Sequence, residues 1–295
     1  MKYNAYENNG KVIIEGVKDF EPKHIFECGQ CFRWNEESDG SFTGVAYNRV
    51  INVKKEGNDV ILSNTNIEDF KNIWYNYFDL DTDYGEIKKE LAKDSVLKEA
   101  IKFGHGIRIL KQDEWEILIS FIISANNRIP MIKRAIDILS ERYGEYIGEY
   151  NGKKYYGFPE PGKLKKLTVE EVEDCKTGFR AKYIVSASAR VSENEIEIYN
   201  LKNLSTEDAR TQLMLFAGVG PKVSDCIMLF SMDKQDAFPI DIWVKRIMEY
   251  FYLDEETKLK AIQEYAQDKF GKYAGYAQQY LFYYARELGI GKGKK

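Results

Sequence analysis

The sequence predicts an α+β fold, with a small N-terminal antiparallel sheet followed by a mainly α-helical body. Short β-rich runs separated by turn formers recur over residues 12–62, and from about Ile67 the apolar spacing becomes helical. Length and composition agree with this reading. A chain of 295 residues, 44% hydrophobic and 31% charged, can bury a sizeable core and has the make-up of an ordinary soluble protein. The division expected is a sheet domain with flanking helices over 1–112 and a helical domain over 113–295.

The β-rich runs are Val12-Ile13-Ile14, Cys31-Phe32-Arg33-Trp34, Phe42-Thr43-Gly44-Val45, Val50-Ile51-Asn52-Val53 and Val60-Ile61-Leu62. Ser38-Asp39-Gly40, Tyr47-Asn48 and Gly57-Asn58-Asp59 separate them, which reads as a meander of hairpins. Asp113 and Glu116 form a capping pair that opens a helix through Ile117, Phe121 and Ile122. Asn151-Gly152-Lys153-Lys154, with Gly157 and the prolines after it, is expected to be a surface loop between helices. Ser205 caps a helix that carries Ala209, Leu213 and Phe216 on one face, and Val223, Ile227 and Phe230 repeat that spacing beyond residues 217–221. The final helices are expected over Leu259–Phe270 and Ala274–Leu288, with Gly271 and Gly289 as stops.

No apolar run is long enough to span a bilayer, and MKYNAYENNG lacks the apolar region of a signal peptide, so a cytoplasmic protein is expected. The absence of targeting extensions suits a prokaryote. A net charge of −4 counts against indiscriminate nucleic-acid binding but leaves room for local basic clusters. Arg180, Lys182 and Arg190 form one, Lys245 and Arg246 another, and the tail reads GKGKK. Cys28, Cys31, Cys175 and Cys226 are too few for a disulfide scaffold. Cys28-Gly-Gln-Cys31 has no second ligand pair close in sequence, so two small loop residues are the simpler reading. With only His24 and His105, a histidine triad or metal cage is not expected either.

The segment from Leu213 to Asp241 carries the most chemistry. Helix, Ala217-Gly218-Val219-Gly220-Pro221, helix is a helix-hairpin-helix pattern. The N–H groups of Gly218, Val219 and Gly220 could converge on a phosphate beside a helix N-terminus, although a tight turn without a ligand explains the glycines alone. Pro221 suits the first helical position, which puts Lys222 in the first turn, where the helix dipole disfavours an ammonium group. A neutral amine is what a lysine nucleophile requires. Cys226, four residues on, lies on the same helical face, and a structural cysteine in the core is an equal reading. Asp241 reads as an N-cap whose helix N–H bonds would keep it ionised, and a carboxylate there could steady a cationic transition state. Together these residues suggest an enzyme acting on a sugar-phosphate backbone.

Gly218-Val219-Gly220-Pro221-Lys222 with Pro239-Ile240-Asp241 resembles the helix-hairpin-helix DNA glycosylases, and the lysine marks their bifunctional branch. Gly29–Trp34, Ser120-Phe121-Ile122 with Asn126-Asn127, Gly178–Tyr183 and Tyr273–Gln278 through Phe282 narrow the resemblance to the 8-oxoguanine DNA glycosylases over nearly the whole chain. The resemblance implies double-stranded DNA containing 8-oxoguanine as partner, association with the nucleoid through that DNA, no membrane, and no metal or organic cofactor. A monomer is the default expectation.

It also implies a mechanism. The damaged base is flipped out of the duplex, Lys222 attacks C1′ and expels it, and the resulting Schiff base allows β-elimination, with Asp241 stabilising the oxocarbenium charge. Gly29 would accept the N7–H of the oxidised base, Gln278 would pair with its Watson–Crick edge, and Phe282 and Cys226 would cover its two faces, Cys226 as a thiolate paired with Lys222. A turn glycine, an exposed glutamine and a core aromatic are the plain readings of Gly29, Gln278 and Phe282. Asn126 would fill the gap and meet the opposite cytosine, which Arg180 reads. Met131 replaces a second arginine found there in many members, and Trp243 replaces a histidine, so relaxed opposite-base selectivity is expected. The competing readings are a relative that excises another damaged base, or a non-catalytic helix-hairpin-helix DNA-binding module.

Overall fold

The computed structural model describes residues 1–253 and 256–290, so the GKGKK tail lies outside the described residues. Strands β1 (Ala5–Asn8), β2 (Lys11–Ile14), β3 (Trp34–Glu36), β4 (Phe42–Ala46), β5 (Arg49–Glu56) and β6 (Asp59–Ser63) form one antiparallel sheet, ordered β1-β2-β6-β5-β4-β3. Its register aligns Val12 with Leu62, Leu62 with Val53, and Val53 with Phe42, a row of apolar side chains across four strands. These four are buried with Ile25 and Phe26 of helix α1 (Pro22–Glu27), with Phe70 and Trp74 from a helical stretch over 67–77, and with Phe78 at its C-cap. Trp34 stacks on Phe26 at 3.9 Å and fills the space above Gly44, where a Cβ would meet its ring at 2.2 Å.

Helices α2 (Tyr84–Leu91) and α3 (Ser95–Phe103) precede residue 113 but pack into the second core, that of the helical body. Helix α4 (Glu114–Ser124), nine of whose eleven residues are buried, packs against α5 (Ile129–Tyr143), α6 (Ala181–Ser192) and α8 (Pro221–Ser231), and α7 (Thr206–Leu213), α9 (Ile242–Met248), α10 (Leu259–Phe270) and α11 (Ala274–Leu288) complete the body. The two cores are stitched by buried polar side chains. Arg108 donates to the carbonyls of Lys18, Asp19 and Asp79, and the Gln112 amide donates to the carbonyl of Gln30. Among the described residues no helix is long and apolar enough to cross a membrane.

Most elements fall where the sequence puts them, including both C-terminal helices with their glycine stops and the Asp113 and Ser205 caps, whose side chains accept from Glu116 N and Asp208 N. The Asp113–Glu116 pair closes only one way, because the Glu116 carboxylate turns to Arg33 at 3.4 Å. Two segments differ. Residues 151–152 are the turn, and 153–154 the start of the second strand, of a β-hairpin, β7 (Tyr146–Tyr150) and β8 (Lys153–Tyr156), rather than a loop between helices. Asn151 and Gly152 both take positive φ, as a two-residue hairpin turn demands, and tyrosines flank them. Cys31–Arg33 is irregular, and strand pairing begins only at Trp34. Gln30 holds that stretch: its buried amide donates to Ile25 O and Arg108 O and accepts from Leu110 N.

Candidate active site

The hairpin between α7 and α8 presents Lys222 on the first turn of α8, after Gly220 at the N-cap and Pro221. Gly218 turns at φ +85°, and a Cβ there would meet the Tyr183 ring at 2.7 Å, so only glycine fits. The Val219 N–H already donates to Phe216 O, so of the three expected phosphate donors this one is engaged within the hairpin. Lys222 Nζ stands 5.3 Å from the centre of the Phe121 ring, itself stacked on Phe230 and edge-on to Phe32. The amine therefore has an aromatic floor.

One turn further lies the buried Cys226 thiol, within the electrostatic field of Lys222. Burial pushes its pKa up to about 11 against the pull of the lysine, so this is a protonated thiol at neutral pH rather than the expected thiolate. Asp241 caps α9, its Oδ1 accepting from Trp243 N at 2.9 Å and Val244 N at 2.8 Å. Burial nonetheless raises this carboxyl above the usual range, opposed by the Val244 N–H, the charge of Lys222 and, more weakly, Arg286. The N–H bonds alone do not decide its state.

The second group of residues lies where the loop after α1 meets α11. Gly29 has φ +83°, and a Cβ on it would lie 2.9 Å from Phe282 Cε1 and 3.5 Å from Arg286 Nη1. Gln278, Phe282 and Arg286 are spaced i, i+4, i+8 and form one stripe of α11. Gln278 is 4% exposed, and its Oε1 has no hydrogen-bond partner among the described residues. The same holds for Arg286 Nη1, whereas Nη2 donates to Glu27 O and Nε donates to Glu287 at 2.9 Å. Leaving a buried polar group unmatched costs about 1–3 kcal/mol, so two on one stripe mark a surface shaped for a polar ligand. Arg286 was not legible as a site residue. The i+8 spacing from Gln278 was its one signal.

The third group sits past the C-terminus of α4. Asn126 is exposed at φ +50°, and Met131 is 40% exposed on the first turn of α5. Arg180 lies beside them but is 7% exposed, and it donates to the carbonyls of Thr177, Ala125 and Asn126. It braces the Asn126 corner. Phe179, 57% exposed against the Arg180 guanidinium at 4.4 Å, adds a surface aromatic to this corner. Cys28 and Cys31 are buried and donate to Ile25 O and Phe26 O, a packing role in which burial pushes the Cys28 thiol up to about 12. The Trp243 ring lies under the Arg246 guanidinium at 5.4 Å. A separate cleft of 680 Å³, lined by Lys93, Asp94, Asp268 and Lys269, holds none of these groups.

Comparison with known proteins shows the family. Family models for the 8-oxoguanine DNA glycosylase N-terminal domain and for HhH-GPD superfamily base excision DNA repair proteins match residues 12–118 and 119–272. A probable N-glycosylase/DNA lyase from Methanothermobacter thermautotrophicus is 32% identical over 72% of this chain and 74% of its own length. Among solved structures, MBOgg1 in complex with a low-affinity DNA ligand is 56% identical, with TM-score 0.96 over 98% of this chain and all of the other. The Clostridium acetobutylicum 8-oxoguanine glycosylase/lyase, in complex with double-stranded DNA bearing cytosine opposite 8-oxoguanine, is 50% identical with TM-score 0.96 over 98% of this chain and 100% of that one.

Proposed function

The chain belongs to the HhH-GPD superfamily of base excision DNA repair proteins, in its 8-oxoguanine glycosylase/lyase branch, and from that premise we propose how its residues divide the work. The substrate is double-stranded DNA carrying 8-oxoguanine. The damaged nucleotide is flipped out, because C1′ cannot be attacked while the base is stacked. Lys222 is the nucleophile: its Nζ bonds to C1′ and the C1′–N9 electron pair leaves with the base. The resulting Schiff base acidifies the C2′ proton, and β-elimination cuts the strand on the 3′ side. Asp241 faces the cationic carbon, and the amides of Gly218 and Gly220 hold a backbone phosphate without reading bases.

The observation that carries this reading is the meeting of Lys222, Cys226 and Asp241. A lysine on an aromatic floor shares its electrostatic field with a buried thiol four residues on and with a buried, N-capping carboxylate. Gly29, Gln278 and Phe282 supply the base pocket, with Phe282 stacking and the unmatched Gln278 Oε1 accepting from the base. Asn126 enters the gap, and the exposed Phe179 supports stacking beside it. The apolar, exposed Met131 gives the opposite base no charged partner, so selectivity for cytosine is relaxed. As to domains, the boundary falls at residue 112, between the sheet domain with its flanking helices (1–112), of which 84–103 pack onto the helical body, and the glycosylase domain (113–295). The enzyme works as a monomer in the cytoplasm of a prokaryote, bound to the nucleoid.

Borohydride trapping on a duplex with a single 8-oxoguanine tests the mechanism. The wild type is expected to give a covalent adduct that disappears in Lys222→Gln. Tight DNA binding with no adduct at any pH would instead mean a non-catalytic DNA-binding module. An adduct formed only on duplexes with a different lesion would point to the other excision activity.

A further inference from the structure

Arg286 has more donors than the fold uses. Its Nη2 is tied to Glu27 O, and Nε and Nη2 to Glu287, so the tether to the α1 end and to its neighbour is complete without Nη1. Nη1 is buried and unmatched among the described residues, and it lies 3.5 Å from where a Gly29 Cβ would stand. The guanidinium carbon sits 5.2 Å from the centre of the Phe282 ring, so the cation, the stacking ring and the Gly29 loop share one wall. Arg286 also acts electrostatically on Asp241, which puts its charge within the field of the reacting centre.

The argument rests on the proposed base pocket. If the Gly29 carbonyl takes N7–H of 8-oxoguanine, the same edge of the base carries a carbonyl oxygen on each side of that nitrogen. A donor beside Gly29 then faces one of them. When the Lys222 nitrogen bonds to C1′, the C1′–N9 pair moves onto the purine, and its negative charge is shared with those oxygens. We propose that Arg286 is a further catalytic residue, its Nη1–H donating to a carbonyl oxygen flanking N7 and stabilising the base as an anionic leaving group. The guanidinium keeps its proton, and the departing base takes one from solvent.

A leaving-group role acts only while a base is attached. Arg286→Met is therefore compared with wild type in single-turnover excision of 8-oxoguanine and in β-elimination on a preformed abasic site, where no base departs. Excision is expected to fall roughly 100-fold, the scale for removing one donor aimed at developing charge, with abasic-site cleavage retained. If the Met variant loses both steps, Arg286→Lys, which keeps a cation at the wall, is read by the same criterion. Equal loss of both steps in both variants, or loss of neither, overturns the assignment. A wild type that leaves 8-oxoguanine in place overturns the proposed function as well, whereas an active wild type with no selective loss in the variants overturns only the role of Arg286.

Discussion

Around Lys222 and α11 the side chains are held in place: the lysine over Phe121, the Cys226 thiol buried one turn on, Asp241 on two backbone N–H groups, and Phe282 and Arg286 both against Gly29. Around Asn126 the corner is open. The asparagine and Met131 are exposed, and the arginine expected to read the opposite base is occupied with three carbonyls. The contrast is between a site preorganised for one bond-breaking event and a surface with few polar groups free to discriminate. Preorganisation is what a transition state needs, because the groups that stabilise it must not have to reorganise at the moment of reaction. Base discrimination needs directed donors and acceptors instead, and the second region presents few.

Four substitutions break or sharpen this comparison. Lys222→Gln removes the nucleophile, so both excision and strand cleavage are expected to fall by about 1000-fold or more in single-turnover assays, with duplex binding preserved. Asp241→Asn is expected to lower excision roughly 100- to 1000-fold. Its pH dependence has a definite sign. Because burial raises the Asp241 pKa, the wild-type rate falls on acidification at a higher pH than an ordinary carboxylate would give, and the asparagine variant lacks that limb.

On the open side, Met131→Arg should leave the rate opposite cytosine nearly intact. It should slow excision opposite the other bases enough to add a selectivity of about 1–3 kcal/mol, roughly 5- to 150-fold. An unchanged selectivity would mean that Arg180, freed from its carbonyls on DNA, already does the reading.

The smallest effect belongs to the seam between the two cores. Glu116, paired with Arg33, is pushed up from 4.5 to about 7, chiefly by burial, so the folded chain binds this proton more tightly than the unfolded one. Its contribution to stability is therefore largest below pH 4.5, declines as pH rises to about 7, and is level beyond. Glu116→Gln should flatten that decline, by roughly 1–2 kcal/mol between about pH 5 and about pH 8 in urea titrations.

The fold was legible wherever local signals and burial agreed. Val12 and Ile14, and Val60 and Leu62, alternate with less buried neighbours as a half-buried sheet requires, and Asp113, Ser205, Gly271 and Gly289 mark helix ends by backbone chemistry that needs no tertiary partner. The hairpin at residues 146–156 was hidden because its strands are polar and tyrosine-rich, although Asn151-Gly152 was the available signal. Lys222, Asp241 and the i, i+4 pair of Gln278 and Phe282 could be read because helical spacing fixes which side chains share a face. The protonation of Cys226, the engagement of Arg180 and the unmatched Nη1 of Arg286 could not. Each depends on burial and on carbonyls brought in from distant segments.

Single-turnover excision of 8-oxoguanine by the wild type, measured in turn opposite cytosine, adenine, guanine and thymine, tests the contrast most directly. A finished excision site beside an undiscriminating corner predicts four rates within about tenfold of one another, less than one good bidentate contact would produce. A rate opposite cytosine exceeding the other three by about 100-fold or more would contradict it.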